Sequence, residues 1–374
     1  MSMRTRAAVA RPGSGTFVWE DVTLDDPRPD EALVRIVGAG ICHTDIAARA
    51  GQVPTPLPAV FGHEGAGVVE AVGSEVTGLA PGDSVVLSFS SCGRCLACRR
   101  GHPASCEHFF ARNFGGARPD GSTPVHAADG SDLGGRFFGQ SSFAEHAVVD
   151  ARCAVPVLAD TEDELALLAP LGCAVQTGAG TVLNVLRPGA GSTVAVFGAG
   201  AVGLSAVLGA TLTLAERVIA IDILPSRLEL ALELGATHVI NGRTEDVQAR
   251  LDEITGGRGV TGAVESSGVP ELLRQAVDSL ATGNGTVAVV GTPPLGTEGT
   301  FDINSLVVHG RSIRGVAEGD SDLVGFVPAL VGLSRSGRFP FERMIRTYPP
   351  ERINEAAADA ASGEVVKPLL CFRP

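Results

Sequence analysis

Short apolar runs alternate with helix-forming segments from about residue 175 onward. β-branched and aromatic runs of this kind are typical of buried strands. They predict strands over 193–197, 217–222, 237–240, 260–264, 286–290 and 312–316, with helices from about 201, over 226–235, near 245–255 and over about 269–281. Six strands separated by helices predict an α/β fold with a doubly wound parallel sheet.

The first 150 residues follow a different pattern, with glycine-bounded runs that favour strands and no long helical period. Strands are predicted over 33–37, 65–72 and 85–87. Residues 111–137 are glycine-rich and predict a long polar loop, which is either a mobile surface segment or the rim of an active-site cleft. From about residue 317 the chain is expected to return to this half. The predicted domains are therefore 1–174 with 317–374, and 175–316.

A glycine-rich turn joins the first strand of the predicted parallel sheet to its helix. Its residues at the expected coenzyme site are Gly198, Gly200, Ala201, Val202 and Gly203. Glycines at this spacing permit a tight turn, close approach of the backbone to a pyrophosphate and close helix–strand packing. Asp222 ends the next strand, where a carboxylate accepts a hydrogen bond from a ribose 2′-hydroxyl. The segment predicts a dinucleotide site that prefers NAD, because a carboxylate repels the extra phosphate of NADP.

Charge and composition narrow the classes of partner. The 374 residues have a net charge of −13, whereas nucleic-acid binding needs a basic surface. No apolar run reaches the roughly 20 residues that span a bilayer, and the run behind the N-terminus is too short for a signal peptide. We therefore expect a cytoplasmic protein that binds neither nucleic acid nor a membrane.

Four of the eight cysteines lie within one short segment, as Cys92, Cys95, Cys98 and Cys106. In a reducing compartment such a cluster favours a metal site over disulfides. Four thiolates can enclose one tetrahedral Zn²⁺ with no open position, which is the structural type of zinc site. An iron–sulfur cluster is the alternative, but nothing else in the sequence indicates electron transfer.

Other candidate ligands are dispersed along the chain, in Cys42-His43-Thr44-Asp45, around His63-Glu64 and at Cys173. Two cysteines and one histidine are a known ligand set for a catalytic zinc, which keeps a fourth position open. Spacing alone does not join these residues, because up to 131 positions separate them.

Taken in order, the motifs resemble those of the zinc-dependent medium-chain alcohol dehydrogenases, and most of all the aryl-alcohol (benzyl alcohol) dehydrogenases. The resemblance runs from about residue 34 to 372 and rests on the 42–45 and 62–67 segments, the four clustered cysteines, Cys173 and the glycine turn. It implies a GroES-like β-rich catalytic domain, a Rossmann NAD-binding domain, and two zinc ions per chain. One zinc is structural and the other is catalytic, in the cleft between the domains.

The resemblance also implies roles for single residues. The implied ligands of the catalytic zinc are Cys42, His63 and Cys173. Glu64 is implied as a carboxylate that can approach the metal, Asp45 as the group that orients a ligand histidine, and Thr44 as a proton relay. Ala47 departs from the relatives that have a relay histidine there, so the outer path of the proton stays open. The implied coenzyme contacts are His43 and Lys367 at the pyrophosphate, Thr177 against the nicotinamide, and Val290. Arg227 either permits weak use of NADP or is a helix-surface arginine.

The substrate is expected to be a hydrophobic primary alcohol, oxidised reversibly to its aldehyde. Phe89 and Phe138 are implied as walls of an apolar pocket, which suits benzyl-type alcohols. Geraniol-type allylic alcohols and S-hydroxymethylglutathione are alternatives, the latter with Arg112 and Arg118 as anion contacts. A zinc-less, non-catalytic relative is a hypothesis of another class, but it predicts loss of ligands that this chain retains. A homodimer or homotetramer is expected, with strand 286–290 pairing edge to edge.

Overall fold

The computed structural model describes residues 3–372, and the chain divides into two compact units. The first unit contains the residues up to Cys173, residues 322–333 and the residues from Glu342 onward. The second contains Ala174–Ser321 and residues 334–341. The sequence placed the return to the first domain at about residue 317, whereas the contacts keep residues 318–321 within the second unit.

Ten strands and four short helices form the first unit up to residue 173. They are β1 (Met3–Ala10), β2 (Phe17–Leu24), β3 (Glu31–Gly40), α1 (His43–Arg49), β4 (Ala59–Val60), β5 (Glu64–Val72), β6 (Ser84–Leu87), α2 (Leu96–Arg99), α3 (Phe109–Phe114), β7 (Val125–Ala127), β8 (Asp132–Leu133), β9 (His146–Asp150), β10 (Ala154–Pro156) and α4 (Glu162–Leu167). The β-rich character expected of a GroES-like domain is thereby confirmed.

The second unit contains the elements of the dinucleotide fold. They are α5 (Ala174–Gly180), β11 (Thr193–Phe197), α6 (Ala201–Thr211), β12 (Arg217–Asp222), α7 (Pro225–Glu233), β13 (His238–Asn241), α8 (Val247–Thr255), β14 (Gly262–Glu265), α9 (Pro270–Asp278), β15 (Thr286–Val289), α10 (Ile303–His309) and β16 (Ser312–Gly315). The remaining elements of the chain are α11 (Leu323–Arg335), β17 (Ile345–Tyr348), α12 (Ile353–Ser362) and β18 (Lys367–Cys371).

Two sheets build the first unit, in the orders β4-β1-β2-β7-β8 and β10-β6-β5-β3-β18-β17, with β9 also paired to β3. Inward positions of β3 such as Val34 and Ile36 are buried. The late strand β18 lies antiparallel to β3, with Leu370 opposite Ala39. The C-terminal segment is therefore part of the first unit's sheet.

The sheet of the second unit has the order β13-β12-β11-β14-β15-β16, and every neighbouring pair is parallel. This is the doubly wound order of a Rossmann fold, as the alternating pattern predicted. Its central strand β11 is completely buried, which explains why it reads as a continuous apolar run.

Two predictions about loops and edges are wrong. Residues 111–137 are not one irregular loop, because they include the end of α3 and the hairpin strands β7 and β8. The strand predicted over 286–290 is not an edge strand, because β15 pairs with β14 on one side and β16 on the other. The two edge strands of this sheet, within residues 3–372, are β13 and β16.

Among residues 3–372, no helix combines the length and the apolar character that crossing a membrane would need.

Candidate active site

The four clustered cysteines converge as predicted, with their sulfur atoms all within 4.8 Å of one another. The Sγ atoms of Cys92 and Cys98 are 4.0 Å apart, as are those of Cys95 and Cys106. Zinc–sulfur bonds of about 2.3 Å in a tetrahedron place sulfurs about 3.8 Å apart, so the cage fits one zinc ion. Backbone N–H groups of Arg94 and Cys95 outweigh the effect of burial and lower the pKa of the Cys92 thiol to about 6. Burial raises the pKa of the Cys98 thiol to about 12, so the convergence of the four sulfur atoms, and not a shared ease of ionisation, is what fits the cluster to a metal ion.

The fold also joins the dispersed residues that spacing could not. The ligand atoms of Cys42, His63, Glu64 and Cys173 lie within 4.8 Å of one another. Cys42 precedes α1, His63 precedes β5, and Cys173 follows a short helical turn at Ala169–Gly172. Sheet pairing of β3, β5 and β6 brings these three chain segments together.

Asp45 organises two of the ligands. Its Oδ1 atom lies 2.9 Å from Nδ1 of His63 and accepts the Gly62 N–H at 3.1 Å, while its Oδ2 atom accepts the Cys42 N–H at 3.0 Å. An Nδ1 proton donated to Asp45 leaves Nε2 of His63 as the metal-binding nitrogen. That Nε2 atom is buried and has no hydrogen-bond partner among residues 3–372. The donor set therefore fits a zinc ion.

Charges around this cluster favour thiolate. A hydrogen bond from the Cys173 thiol, together with the nearby Lys367 ammonium, lowers the pKa of Cys42 well below its usual value. Burial raises the pKa of Glu64, and Lys367 opposes that rise.

The structure corrects the predicted role of Lys367. Its side chain is only 2% exposed. The ammonium donates to both carboxylate oxygens of Glu64, at 2.8 and 2.9 Å, and to the Ile41 carbonyl at 3.2 Å. All three N–H groups are thereby used inside the first unit, so Lys367 is a partner of Glu64 and not a coenzyme contact.

The first turns of α1 contain three of the predicted site positions, His43, Thr44 and Ala47. The hydroxyl oxygen of Thr44 lies 3.8 Å from the Cys42 sulfur, next to the candidate metal position. His43 is exposed and Ala47 is buried. Thr44 is therefore placed to exchange a proton with a group bound beside Cys42.

The two phenylalanines predicted as pocket walls lie in different surroundings. Phe89 is completely buried and packs on Phe109, with ring centroids 5.8 Å apart. Phe138 is 3% exposed and stacks on the His63 ring at 4.5 Å with an interplanar angle of 28°. Phe89 is thus a core residue, and Phe138 packs on a candidate metal ligand.

Sequence analysis missed an aromatic row that continues from Phe138 toward the surface. Phe114 meets the edge of Phe138 at 5.0 Å and stacks on Phe110 at 5.0 Å, and Phe110 is 49% exposed. The signal in the sequence is a pair of phenylalanines four residues apart, which lie on one face of a helix. Rings thereby extend from the protein surface to His63.

Arg112 and Arg118 are not available as anion contacts. Arg118 is buried and donates to both carboxylate oxygens of Glu31, and Arg112 donates to Asp150. These ion pairs remove the support for an anionic glutathione adduct as substrate.

The glycine turn has the geometry that a pyrophosphate site needs. Gly198 has a φ of 90°, and a Cβ at Gly203 would lie 1.8 Å from the Gly198 carbonyl oxygen. Helix α6 begins immediately after Gly200, so its free N–H groups face the turn. The Asp222 carboxylate accepts the Ala199 N–H at 2.6 Å, which places the predicted ribose contact beside the turn.

The remaining predicted coenzyme residues all lie in the second unit. Val290 directly follows β15, and its N–H donates to the Glu265 carbonyl. Thr177, in α5, donates to Glu318 at 3.4 Å. Arg227 lies in α7 and is buried near Asp222 rather than on the helix surface.

Comparison with known proteins agrees with this geometry. The family profile "Alcohol dehydrogenase GroES-like domain" matches residues 28–159, and "Zinc-binding dehydrogenase" matches residues 201–331. Geraniol dehydrogenase of Castellaniella defragrans is 44% identical over 98% of this chain and 97% of its own length. The crystal structure of an alcohol dehydrogenase zinc-binding domain protein from Burkholderia ambifaria superposes with a TM-score of 0.97 at 51% identity, over the whole of both chains. Benzyl alcohol dehydrogenase from Acinetobacter calcoaceticus superposes at 0.95 with 45% identity, over 99% of this chain and all of that one.

Proposed function

The chain belongs to the zinc-dependent medium-chain alcohol dehydrogenases, and we propose that it oxidises a flat, hydrophobic primary alcohol of the aryl type, with NAD as hydride acceptor. The observation that carries this proposal is the pair of full-length relatives at 44% and 45% identity, named for geraniol and benzyl alcohol. In both alcohols the carbinol carbon is next to a π system. The aromatic row from Phe110 to His63 favours a flat, conjugated substrate.

Several residues of the first unit share this chemistry. Cys42, His63 and Cys173 would hold a zinc ion, which would supply a Lewis acid that lowers the pKa of the substrate hydroxyl. Thr44 takes up the hydroxyl proton while releasing its own, since its oxygen lies beside Cys42. Asp45 fixes the tautomer of His63. Ala47 provides no titratable group, so the path of the proton beyond Thr44 does not pass through this position.

The coenzyme contacts follow from the second unit. Backbone N–H groups at the start of α6 bind the pyrophosphate, and Asp222 accepts hydrogen bonds from the adenosine ribose. We assign Thr177 and Val290 to the nicotinamide half of the coenzyme.

A panel of alcohols tests the substrate class. We expect kcat/KM for benzyl alcohol to exceed that for ethanol by at least about tenfold to a hundredfold, because burying an aromatic ring stabilises the complex by about 1.5–3 kcal/mol. Geraniol as the best substrate would favour the allylic alternative, which the Castellaniella defragrans relative supports. A preference for ethanol or S-hydroxymethylglutathione would contradict the proposal.

Zinc content is a second measurement. We expect two zinc ions per chain, and one or none would favour a non-catalytic relative.

Coenzyme preference tests the role of Asp222. We expect kcat/KM to be higher with NAD than with NADP, because the carboxylate repels a 2′-phosphate. The Asp222→Asn variant keeps a side-chain oxygen that can accept the Ala199 N–H but removes the charge. The ratio of the two kcat/KM values should then fall at least about tenfold, the change produced by about 1.4 kcal/mol. An NADP preference in the unmodified enzyme would overturn this assignment.

A further inference from the structure

Asp45 connects Cys42 to His63, but among residues 3–372 its side-chain hydrogen bonds reach only Cys42, Gly62 and His63, and not the segment of the third ligand, Cys173. That segment is linked to His63 by two other buried side chains, Gln140 and Ser88, neither of which is a metal ligand.

Gln140 forms the first part of this link. Its side chain is completely buried, and its amide nitrogen donates to the carbonyls of His63 and Ser88, both at 2.9 Å. Its amide oxygen accepts the Gly65 N–H at 3.1 Å. The amide thereby holds the backbone on both sides of Glu64 and connects it to the residue that follows β6.

Ser88 forms the second part. Its hydroxyl donates to the Gly172 carbonyl at 2.6 Å, directly before Cys173. The contact between these segments is tight, since a Cβ at Gly172 would lie 2.0 Å from the Leu87 carbonyl oxygen. Two side chains thus connect the His63 and Cys173 segments through hydrogen bonds of good length.

The turn that presents Gln140 is held in an unusual conformation. Phe138 and Ser141 have φ values of 52° and 54°, which residues other than glycine rarely adopt. Ser141 maintains the turn, because its hydroxyl accepts the Phe137 N–H at 2.9 Å and donates to the Val60 carbonyl at 2.7 Å. Such conformations are unfavourable and persist where the surrounding structure fixes them, commonly at functional sites.

We propose that Gln140 and Ser88 are positioning residues that hold the His63 and Cys173 segments at their mutual distance and so pre-organise the catalytic zinc site. The inference rests on the proposed function in taking Cys42, His63 and Cys173 as the ligands. Removing the Gln140 amide takes one hydrogen-bond partner from two buried carbonyls and one N–H, which destabilises the arrangement that the amide holds. Loss of groups that support metal ligands typically weakens metal binding 10–100-fold.

The test is the rate at which each zinc leaves the purified holoenzyme for an excess of a chromophoric chelator. The Gln140→Met variant keeps the length of the side chain and removes its hydrogen bonds. We expect release of the catalytic zinc, identified by the accompanying loss of activity, to accelerate at least tenfold. Release from the four-cysteine site should not change, so that site is an internal control. Ser88→Ala should accelerate release of the catalytic zinc by a smaller factor. It is the test variant to use if Gln140→Met does not fold.

Ser142→Ala is the matched control variant. Ser142 is also fully buried and lies two residues from Gln140, but its hydroxyl has no hydrogen-bond partner among residues 3–372. Its zinc release should match that of the unmodified enzyme. Unchanged catalytic-zinc release in Gln140→Met and Ser88→Ala, or equal acceleration of both zinc ions, would overturn the inference and leave the proposed function intact. An unmodified enzyme with only the four-cysteine zinc would instead contradict the proposed function, and the inference with it.

Discussion

Glu64 and Lys367 form an ion pair with both side chains almost completely buried, beside the candidate zinc ligands. The Glu64 carboxylate makes the pKa of Lys367 higher than usual despite burial, so the lysine stays charged. Burying two charges costs several kcal/mol each, and removing one partner leaves the other uncompensated. The structure of the catalytic site therefore depends on this ion pair.

Replacing Lys367 distinguishes this role from a coenzyme contact. Lys367→Met should lower the free energy of unfolding of the first unit by about 3–5 kcal/mol, because Glu64 loses its only lysine partner. Trp19, the single tryptophan of the chain, reports on that unit in urea unfolding followed by fluorescence. Lys367→Arg keeps the charge and should lower the free energy of unfolding much less than Lys367→Met. Unchanged stability combined with weaker NAD binding would restore the predicted phosphate contact.

Several single residues were predictable only in part. Residue type and local spacing indicated the four-cysteine site, since its ligands lie within 15 positions. Cys42, His63 and Cys173 were joined only through the family resemblance, because their proximity depends on pairing between distant strands. The sequence contained no signal for the role of Gln140, since its three partners lie in or beside strands 52 to 77 residues away.

At the scale of elements, a buried ion network fixes the segment that looked like a loop. Glu31 at the start of β3 accepts hydrogen bonds from Arg118 and Arg136, at 2.8–3.0 Å. Arg136 also lies 3.8 Å from Asp150, at the end of β9. All four side chains are almost fully buried. The network therefore connects two strands of one sheet to residues that flank the β7–β8 hairpin.

Glu31→Gln should destabilise the first unit by about 3–5 kcal/mol at neutral pH, since two buried guanidinium groups lose their shared carboxylate. Burial raises the pKa of Glu31, but Arg118 and Arg136 bring it below its usual value. A lowered pKa in the folded state gives stability that is present above the unfolded-state pKa of about 4.3 and is lost as pH falls through the folded value. The difference between the variant and the unmodified enzyme should therefore shrink in acid, as measured by Trp19 fluorescence in urea.

Glu20→Gln is the matched control for this measurement. Glu20 pairs with Arg11 at 2.7 Å, but both side chains are partly exposed. Exposed ion pairs contribute about 0–1 kcal/mol. If Glu20→Gln and Glu31→Gln lowered the free energy of unfolding equally, burial would not be the reason why the Glu31 network stabilises the first unit.

Elements of the second unit were more predictable than those of the first. Strands β11, β12, β14 and β15 there are largely buried on both faces, and each is followed by a helix, so the local pattern predicts both the strand and its helix. In the first unit, β18 pairs with β3 more than 300 residues earlier, and no local pattern contains that information. The β7–β8 hairpin is short and lies within a glycine-rich segment, which is why the segment was predicted to be a loop.

At the scale of the whole molecule, one edge of the second unit's sheet is β16, and all four of its residues are exposed. Helix α10 leads into this strand and exposes Ile303, Val307 and Val308 by 66–75%. Exposed edge strands next to apolar side chains pair with another chain unless they are protected. We therefore expect the homo-oligomer to form through β16 and α10 of two copies, related by a two-fold axis.

Proline at position 313 tests this interface without breaking the sheet. Ser312 N–H donates to Gly285 and Val316 N–H to Val289, so the even positions of β16 face β15 and the Ile313 N–H faces outward. Proline is tolerated on an edge strand where the missing N–H would face solvent, and here it removes a donor to the second copy. Ile313→Pro should reduce the particle mass measured by light scattering at least twofold, whereas Leu158→Asp, at a 77% exposed position of the first unit, should leave it unchanged. An oligomer that persists in Ile313→Pro with unaltered mass would place the interface on another surface.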